Sequence, residues 1–467
     1  MHIRRVNMPY VNEFDTIAAI ATAAGSGGIG IVRISGENAI DIADKLFVPK
    51  SGKPLKERKS HTLNYGSIIF DGKVIDEALV SVMRAPNSYT CEDVAEINCH
   101  GGYSSVAAVL DAVLKSGARI AEPGEFTKRA FLNGRIDLTQ AQAVIDVINA
   151  GTEESRRAAV MRLEGKLSSK IKEMRGEILD MIAHIEVSMD YPEHDEDVMN
   201  KQNVKQKTLV LLEKIQKLID GADTGRILRE GIDTVILGRP NVGKSSLLNS
   251  LLEEERAIVT DIPGTTRDIL RESVNLNGIP LNLIDTAGIR NTEDTVEKMG
   301  VERSRKLADE AELLLIVIDC SAALTEQDRE ILALTENKKA IILLNKIDLE
   351  QCLTSEDMSE YGCTVLDISA KHDTGLEALS AEIRKMFMRG DINTDNEAVI
   401  GAERDKASLF KTKARLEAAL QTIENDMPED FLTPDLTEAY TFLGEMIGEA
   451  VEDDIIDKIF SEFCLGK

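Results

Sequence analysis

The sequence predicts a multidomain α/β protein: an α+β domain at the N-terminus, then a discontinuous helical domain interrupted by an inserted α/β domain. Three observations carry this. The chain has 467 residues, more than one ordinary core organises. Period-two apolar runs alternate with turns over 15–130, and strand-like runs alternate with helical stretches over 232–388. Long helical patterns lie on both sides of that second region. The boundaries read as 1–133, 134–228, 229–388 and 389–467, with the second and fourth segments forming one domain.

In the first segment "TIAAIAT", "GIGIVRISG" and "NYGSIIFDGKVIDEALVSVM" read as strands joined by Gly or Asp-Gly turns, with helices near 37–46 and 102–116. In the second, Ile171, Met174, Ile178, Ile182 and Ile185 recur at helical spacing and predict helices packed on one another. In the third, "DTVILG", "LNLIDT", "LLLIVID", "KAIILLN" and "CTVLDIS" predict a parallel sheet with helical crossovers. The fourth returns to helix, and its basic stretch 403–415 reads as an ordinary amphipathic surface.

Charge restricts the function. With 81 acidic and 55 basic residues the formal net charge is −26. A chain that grips nucleic acid by itself shows a basic face, so any RNA target implies a partner that supplies positive surface. Six cysteines without a Cys-x-x-Cys pair suit reduced thiols and a cytoplasmic location. The longest apolar run, 313–318, is too short to span a bilayer. The opening "MHIRRVNMPYVNEF" has no apolar stretch behind its arginines; it reads as a leader rather than a secretion signal, with Met8 an alternative start.

The chemistry sits in the third segment. "GRPNVGKSS" (238–246) fits G-x-x-x-x-G-K-[ST] between a strand and a helix. Gly238 and Gly243 let the backbone around Asn241, Val242, Gly243, Lys244, Ser245 and Ser246 close on phosphates. Lys244 reaches the β- and γ-phosphates, and the Ser245 hydroxyl ligates Mg²⁺. "DTAG" follows as Asp285, Thr286, Ala287 and Gly288; Asp285 suits the magnesium site and the Gly288 N–H the γ-phosphate. "NKID" places Asn345, Lys346 and Asp348 at a strand end, where the Asp348 carboxylate accepts from the guanine N1–H and 2-amino group. "SAK" (Ser369, Ala370, Lys371) adds a backbone contact to the guanine carbonyl. The ordered set predicts a Ras-like P-loop GTPase domain that binds GTP.

"TDIPGTTRD" reads as the first switch loop, holding Thr260, Asp261, Ile262, Pro263, Gly264, Thr265 and Thr266, with Thr266 as a Mg²⁺ ligand. Ile289 stands where many GTPases place a water-orienting Gln, so another group must place the water. Arg267 and Arg290 read either as arginine fingers or as surface charges. Glu297 by itself reads as a solvated residue at a helix start.

"PGTTRD", "DTAG" without the Gln, and "GRPNVGKSS" resemble the potassium-activated, dimerising GTPases. "GGIGIVRISG", "EDVAEINCHGG", "PGEFTKRAFLNGRIDLTQAQA" and the terminal "FCLGK" narrow this: from about Asp15 the chain resembles the tRNA-modifying GTPase family MnmE, also called TrmE. The resemblance implies an N-terminal folate-binding and dimerisation domain in front of the interrupted helical domain. It implies K⁺ held by Asn241, Thr260, Ile262 and Thr265 in place of an arginine finger, and hydrolysis tied to G-domain pairing within a homodimer. It makes Glu297 the catalytic glutamate. It further implies a 5-formyl- or 5,10-methylene-tetrahydrofolate ligand at Arg33, Glu96, Arg135 and Lys467, with Arg135 standing where the family often has Lys. The implied work is attachment of a carboxymethylaminomethyl-type group to C5 of the wobble uridine of certain tRNAs, with the FAD-containing partner MnmG (GidA). The alternatives are a ribosome-assembly GTPase, which would carry a basic RNA-binding module, and the G domain of a membrane iron transporter, which would need a spanning segment.

Three features read as ordinary structure, and the chain end as part of a site. "GSGGIG" (25–30) is followed by a strand rather than a helix, so it is a hairpin turn and not a dinucleotide loop. Cys99 and His100 in "CHGG" have no nucleophile elbow to serve and read as packing and turn residues. The acidic "DYPEHDED" (190–197) reads as a solvated loop. "FCLGK" fails as a prenylation box; Cys464 reads as a positioning residue or a reactive thiol, on a tail that carries Lys467 to the folate pocket.

Overall fold

Alternation along Ile29–Ser35 puts Val32 and Ile34 on one face of a strand and Arg33 on the other. The same logic runs through the first sheet. In the computed structural model the described residues are 15–23, 25–190, 201–253, 272–284, 300–388, 399–449 and 451–467. They form two compact units: residues 1–142 with 450–467, and residues 143–449.

The first unit contains β1 (Ile17–Ile20), β2 (Ile29–Ser35), α1 (Ala39–Leu46), β3 (Phe47–Pro49), β4 (Thr62–Phe70), β5 (Lys73–Met83), β6 (Val94–His100), α2 (Tyr103–Lys115), β7 (Arg119–Ile120) and α3 (Glu125–Leu132). Its seven-stranded sheet has the order β3-β4-β5-β6-β2-β1-β7. The helices expected near 37–46 and 102–116 are α1 and α2. They cover one sheet face, where Val32, Ile34, Val80, Val82 and Ile97 meet Ile40, Ala43, Val109 and Val113. Burying that face dominates the stability of this unit. The opposite face carries Arg33 and Glu96 directly across from each other on β2 and β6. "GSGGIG" leads into β2, which pairs antiparallel with β1.

The second unit begins within α4 (Leu138–Asn149) and continues through α5 (Glu153–Leu163), α6 (Lys166–Asp190) and α7 (Lys201–Glu230). There follow β8 (Ile232–Leu237), α8 (Lys244–Glu253), β9 (Glu272–Leu276), β10 (Ile279–Leu283), α9 (Gly300–Glu310), β11 (Leu313–Asp319), α10 (Glu326–Leu332), β12 (Ala340–Asn345), β13 (Thr364–Ile368) and α11 (Leu376–Phe387). Two long helices, α12 (Glu403–Glu424) and α13 (Leu432–Ile447), complete it. The five predicted residues of α6, from Ile171 to Ile185, are all buried against α7, α12 and α13.

The six-stranded sheet has the order β13-β12-β11-β8-β10-β9. Leu313, Leu315 and Val317 of β11 enter one core while Leu314, Ile316 and Ile318 enter another. A strand buried on both faces reads as the continuous apolar run seen in the sequence. The sheet is parallel except at β9, which pairs antiparallel with β10. Asn277 and Gly278 turn that hairpin with φ of 47° and 86°, the left-handed pair that a two-residue hairpin loop requires.

The end of the chain belongs to the first unit. α14 (Asp453–Ser461) buries Ile456 and Phe460, and Phe463 follows. The Phe460 ring lies 6.2 Å from Phe131 and 5.3 Å from Phe463. Lys128 pairs with Asp457. An apolar face and one ion pair thus dock the tail on α3.

Candidate functional site

Open parallel sheets gather loops at the carboxyl ends of their strands, where the chain order reverses across the sheet. The described parts of the nucleotide motifs all lie there, after β8, β12 and β13. Asn345, the last residue of β12, joins two of them. Its Nδ2 donates to the Val242 carbonyl at 2.8 Å, and its Oδ1 accepts from the Ala370 N–H at 2.9 Å. One buried side chain therefore ties "GRPNVGKSS" to "SAK". Gly243, at φ 105°, lies against that amide, where a Cβ would collide with Asn345 Nδ2. Ser250 of α8 adds a bond of 2.7 Å to the Ala370 carbonyl.

Lys244 begins α8 with its Nζ 2.7 Å from the Gly238 carbonyl and 2.8 Å from that of Arg239. Burial pushes its pKa below the ordinary lysine value. A desolvated cation at a helix N-terminus is an anion site, since phosphate restores what burial removed. Ser245 lies in the same turn. Asn241 and Lys346 both hold left-handed backbone, φ 64° and 70°. For non-glycine residues such conformations persist where the surroundings over-determine them.

On the base side, Asp348 is exposed and accepts from the Ser369 hydroxyl at 2.7 Å. That hydrogen bond, first among its causes, holds the carboxyl below its usual pKa. The carboxylate is thereby ionised and held in place while it stays exposed. Lys346 reaches Asp319 at 2.6 Å. Lys371 and Ser246 are exposed near the loop ends. The predicted residues Thr260, Asp261, Ile262, Pro263, Gly264, Thr265, Thr266, Asp285, Thr286, Ala287, Gly288 and Glu297 lie outside the described residues, as do Arg267, Ile289, Arg290 and Met8.

A second cluster forms in the first unit. Arg33 Nε sits 2.7 Å from Glu96, and its Nη1 donates to the Gly466 carbonyl at 3.2 Å. Lys467 is half-buried beside them, and its pKa is lowered by burial first and by the Arg33 cation second. Gly466 has φ 88°, and a Cβ there would run into the Ile20 carbonyl, so only glycine turns the tail at this point. Arg135 is exposed and stands apart from that trio across Tyr89: its guanidinium lies 4.8 Å from the Tyr89 ring centre and donates to the Tyr89 carbonyl at 3.2 Å. Arg33 lies 5.7 Å from the same ring and 5.6 Å from Phe126. Cys464 is exposed and Cys99 buried, while His100 bonds Asp76 at 2.6 Å.

Sequence reasoning missed Tyr89, the platform between Arg33 and Arg135. A single aromatic in a loop gives no periodic signal. It also missed α5, whose one face roots the inserted sheet. Glu154 covers Gly278, Ser155 bonds the Leu228 carbonyl, Ala158 packs on Leu228 and Val399, and Arg162 pairs with Asp146 at 2.8 Å. The face mixes charged, polar and small residues, so its pattern is not amphipathic.

The N-terminal portion, residues 16–135, matches the family model of the GTP-binding protein TrmE N-terminus, and residues 138–464 match that of the MnmE helical domain. Curated proteins described as tRNA modification GTPase MnmE are similar along nearly their whole length. The one from Geobacillus kaustophilus is 50% identical over 462 residues, 98% of this chain and 100% of that one. That of Clostridioides difficile is 50% identical over 455 residues, 97% and 99% of the two chains. That of Lactobacillus acidophilus is 48% identical over 460 residues, 98% and 99%. With both family models matched in order and half of all positions identical end to end, the chain belongs to the MnmE (TrmE) family of tRNA modification GTPases.

Proposed function

We propose that this chain is a K⁺- and Mg²⁺-dependent GTPase that acts as a homodimer with an FAD-containing partner of the MnmG (GidA) type. Together they place a carboxymethylaminomethyl-type group on C5 of the wobble uridine of certain tRNAs, using a tetrahydrofolate one-carbon unit. The observation that carries the reading is the Arg33, Glu96 and Lys467 cluster, which a GTPase switch has no use for and a folate does.

Each residue then has a task. Lys244 exchanges its two loop carbonyls for phosphate oxygens, and Asp348 with Ala370 reads guanine. The exposed Asn241 amide offers an oxygen of the kind K⁺ takes, and the Ser245 hydroxyl is a hard ligand suited to Mg²⁺. Bound cations supply positive charge against the developing phosphate charge. Thr260, Ile262 and Thr265 complete the K⁺ ligand set, Thr266 joins Ser245 at Mg²⁺, and Glu297 orients the attacking water. Arg33 and Lys467 face ligand carboxylate, Glu96 accepts from pterin N–H groups, and Arg135 with Tyr89 closes the side. The acidic surface leaves most of the tRNA contact to the partner.

Mass spectrometry of wobble nucleosides in tRNA from cells lacking this protein tests the reading. Loss of the modified uridine is expected, and unchanged modification would refute it. In vitro, hydrolysis faster in K⁺ than in Na⁺ and binding of 5-formyltetrahydrofolate are expected; an assembly GTPase would show neither folate binding nor the nucleoside change.

A further inference from the structure

The phosphate-binding loop carries a second cation besides Lys244. Arg239 holds its Nε 3.2 Å from the Asp328 carboxylate and its Nη2 4.0 Å from an Asp319 oxygen. That same Asp319 oxygen lies 2.6 Å from Lys346 Nζ. Asp328 is 1% exposed, and its Oδ2 also caps α10 by accepting from the N–H and hydroxyl of Thr325 at 3.0 and 2.7 Å. A carboxylate so deeply buried requires a counter-charge, and Arg239 supplies it. At its other end Arg239 is held by its carbonyl, which accepts from Lys244. Two cations from different loops, Arg239 of the phosphate-binding loop and Lys346 of the NKID loop, therefore face one Asp319 oxygen, at 4.0 and 2.6 Å.

We infer that Arg239 is a positioning residue for guanine-nucleotide binding, which through Asp319 fixes Lys346 and the base-reading loop relative to the phosphate-binding loop. Lys346 sits in left-handed backbone and needs support from several sides. Asp319 gives that support, and it is itself anchored by the N–H and hydroxyl of Ser321 at 3.0 and 2.6 Å. Without Arg239 the carboxylate keeps its Ser321 anchor but loses its link to the phosphate-binding loop, and the NKID loop is no longer held relative to that loop. A residue of the phosphate side then sets selectivity on the base side.

The inference rests on the GTP-site reading, and the wild-type chain separates the two: if wild type fails to bind GDP, that reading fails first. The full chain, Arg239→Gln, Arg239→Lys and Asp319→Asn are titrated with GDP and with IDP, which lacks the 2-amino group. Arg239→Gln and Asp319→Asn should weaken GDP binding about tenfold; for Asp319→Asn that is the size of the charged hydrogen bond from Lys346 that is lost, and for Arg239→Gln of the removed ion pairs. They should also narrow the GDP-over-IDP preference by about threefold or more, with Arg239→Lys between them and wild type, because it reaches Asp328 but not both carboxylates. Equal weakening of GDP and IDP would show a local effect on the phosphate loop and overturn the inference, as would GDP affinity within about twofold of wild type. If Arg239→Gln shows no cooperative unfolding transition, Arg239→Lys decides by the same ratio.

Discussion

Arg33 donates to the carbonyl of Gly466 at 3.2 Å, joining residues 433 positions apart in the chain. The contact makes the tail part of the N-terminal site. It also brings a second cation, Lys467, beside the Arg33–Glu96 pair.

Lys467→Ala should weaken 5-formyltetrahydrofolate binding about tenfold or more, the worth of a charge-assisted contact that is partly withdrawn from water. Isothermal titration measures it. Equal affinity in the variant would remove Lys467 from the site.

The same lysine predicts a pH dependence. Burial and Arg33 hold its pKa below the usual lysine value of about 10.4. Its cation is therefore lost at lower pH than an exposed lysine's would be. Affinity for an anionic folate should fall as pH rises through that lowered value, and Lys467→Arg should flatten the fall. A profile identical in wild type and Lys467→Arg would exclude Lys467 as the titrating group.

Gly466→Ala keeps every charge and should still impair folate binding, because φ 88° and the Ile20 carbonyl leave no place for a Cβ. The tail must shift and take Lys467 with it. Limited proteolysis should show faster cleavage near residue 463. An alanine variant that binds and resists protease like wild type would show that the turn is tolerant.

Asp348→Asn exchanges an acceptor for a donor opposite the guanine 2-amino group. GTP affinity should fall about a hundredfold or more, as for sites built on a hydrogen-bond pattern that the ligand no longer matches. Xanthine nucleotide, with an oxygen at that position, should recover part of the loss. Unchanged preference for GTP would place base recognition elsewhere.

Asp146 lies between Arg162 and Arg229, at 2.8 and 2.9 Å, where α4, α5 and α7 meet at the root of the inserted sheet. The Arg162 and Asp146 side chains are each 7% exposed. Asp146→Ala leaves Arg162 buried without that partner and should destabilise by about 3–5 kcal/mol, seen as a lower denaturation midpoint. A loss below about 1 kcal/mol would mean that the pair contributes little to holding the three helices together.

Legibility followed the reach of each signal. The P-loop, NKID and SAK were readable because a nucleotide site demands fixed residue types at short spacings, and the strands feeding them are continuous apolar runs. Asn345 was readable as a motif residue, but its staple from Val242 to Ala370 was not, since the partners are 103 and 25 positions away. β9 was missed because its period is short and its edge position half-exposed, although Asn277-Gly278 carried the hairpin signal. Arg239 was visible only as a filler of the P-loop pattern. Its partners Asp319 and Asp328 come from a strand end and a helix cap, which no local pattern links.

By itself the sequence determined most element types, the inserted order of segments and the GTPase motifs, because periodicity and backbone-hugging motifs are local properties. Tertiary structure decided how the charges meet, including Arg33, Glu96 and Lys467, which only the family resemblance had grouped. It set Arg33 and Glu96 side by side on neighbouring strands, brought Lys467 to them through the docking of Phe460 and Phe463, and placed Arg239 and Lys346 on one carboxylate. Electrostatic partners are chosen by proximity after the chain has packed, and burial of apolar faces, not the charges, does the packing.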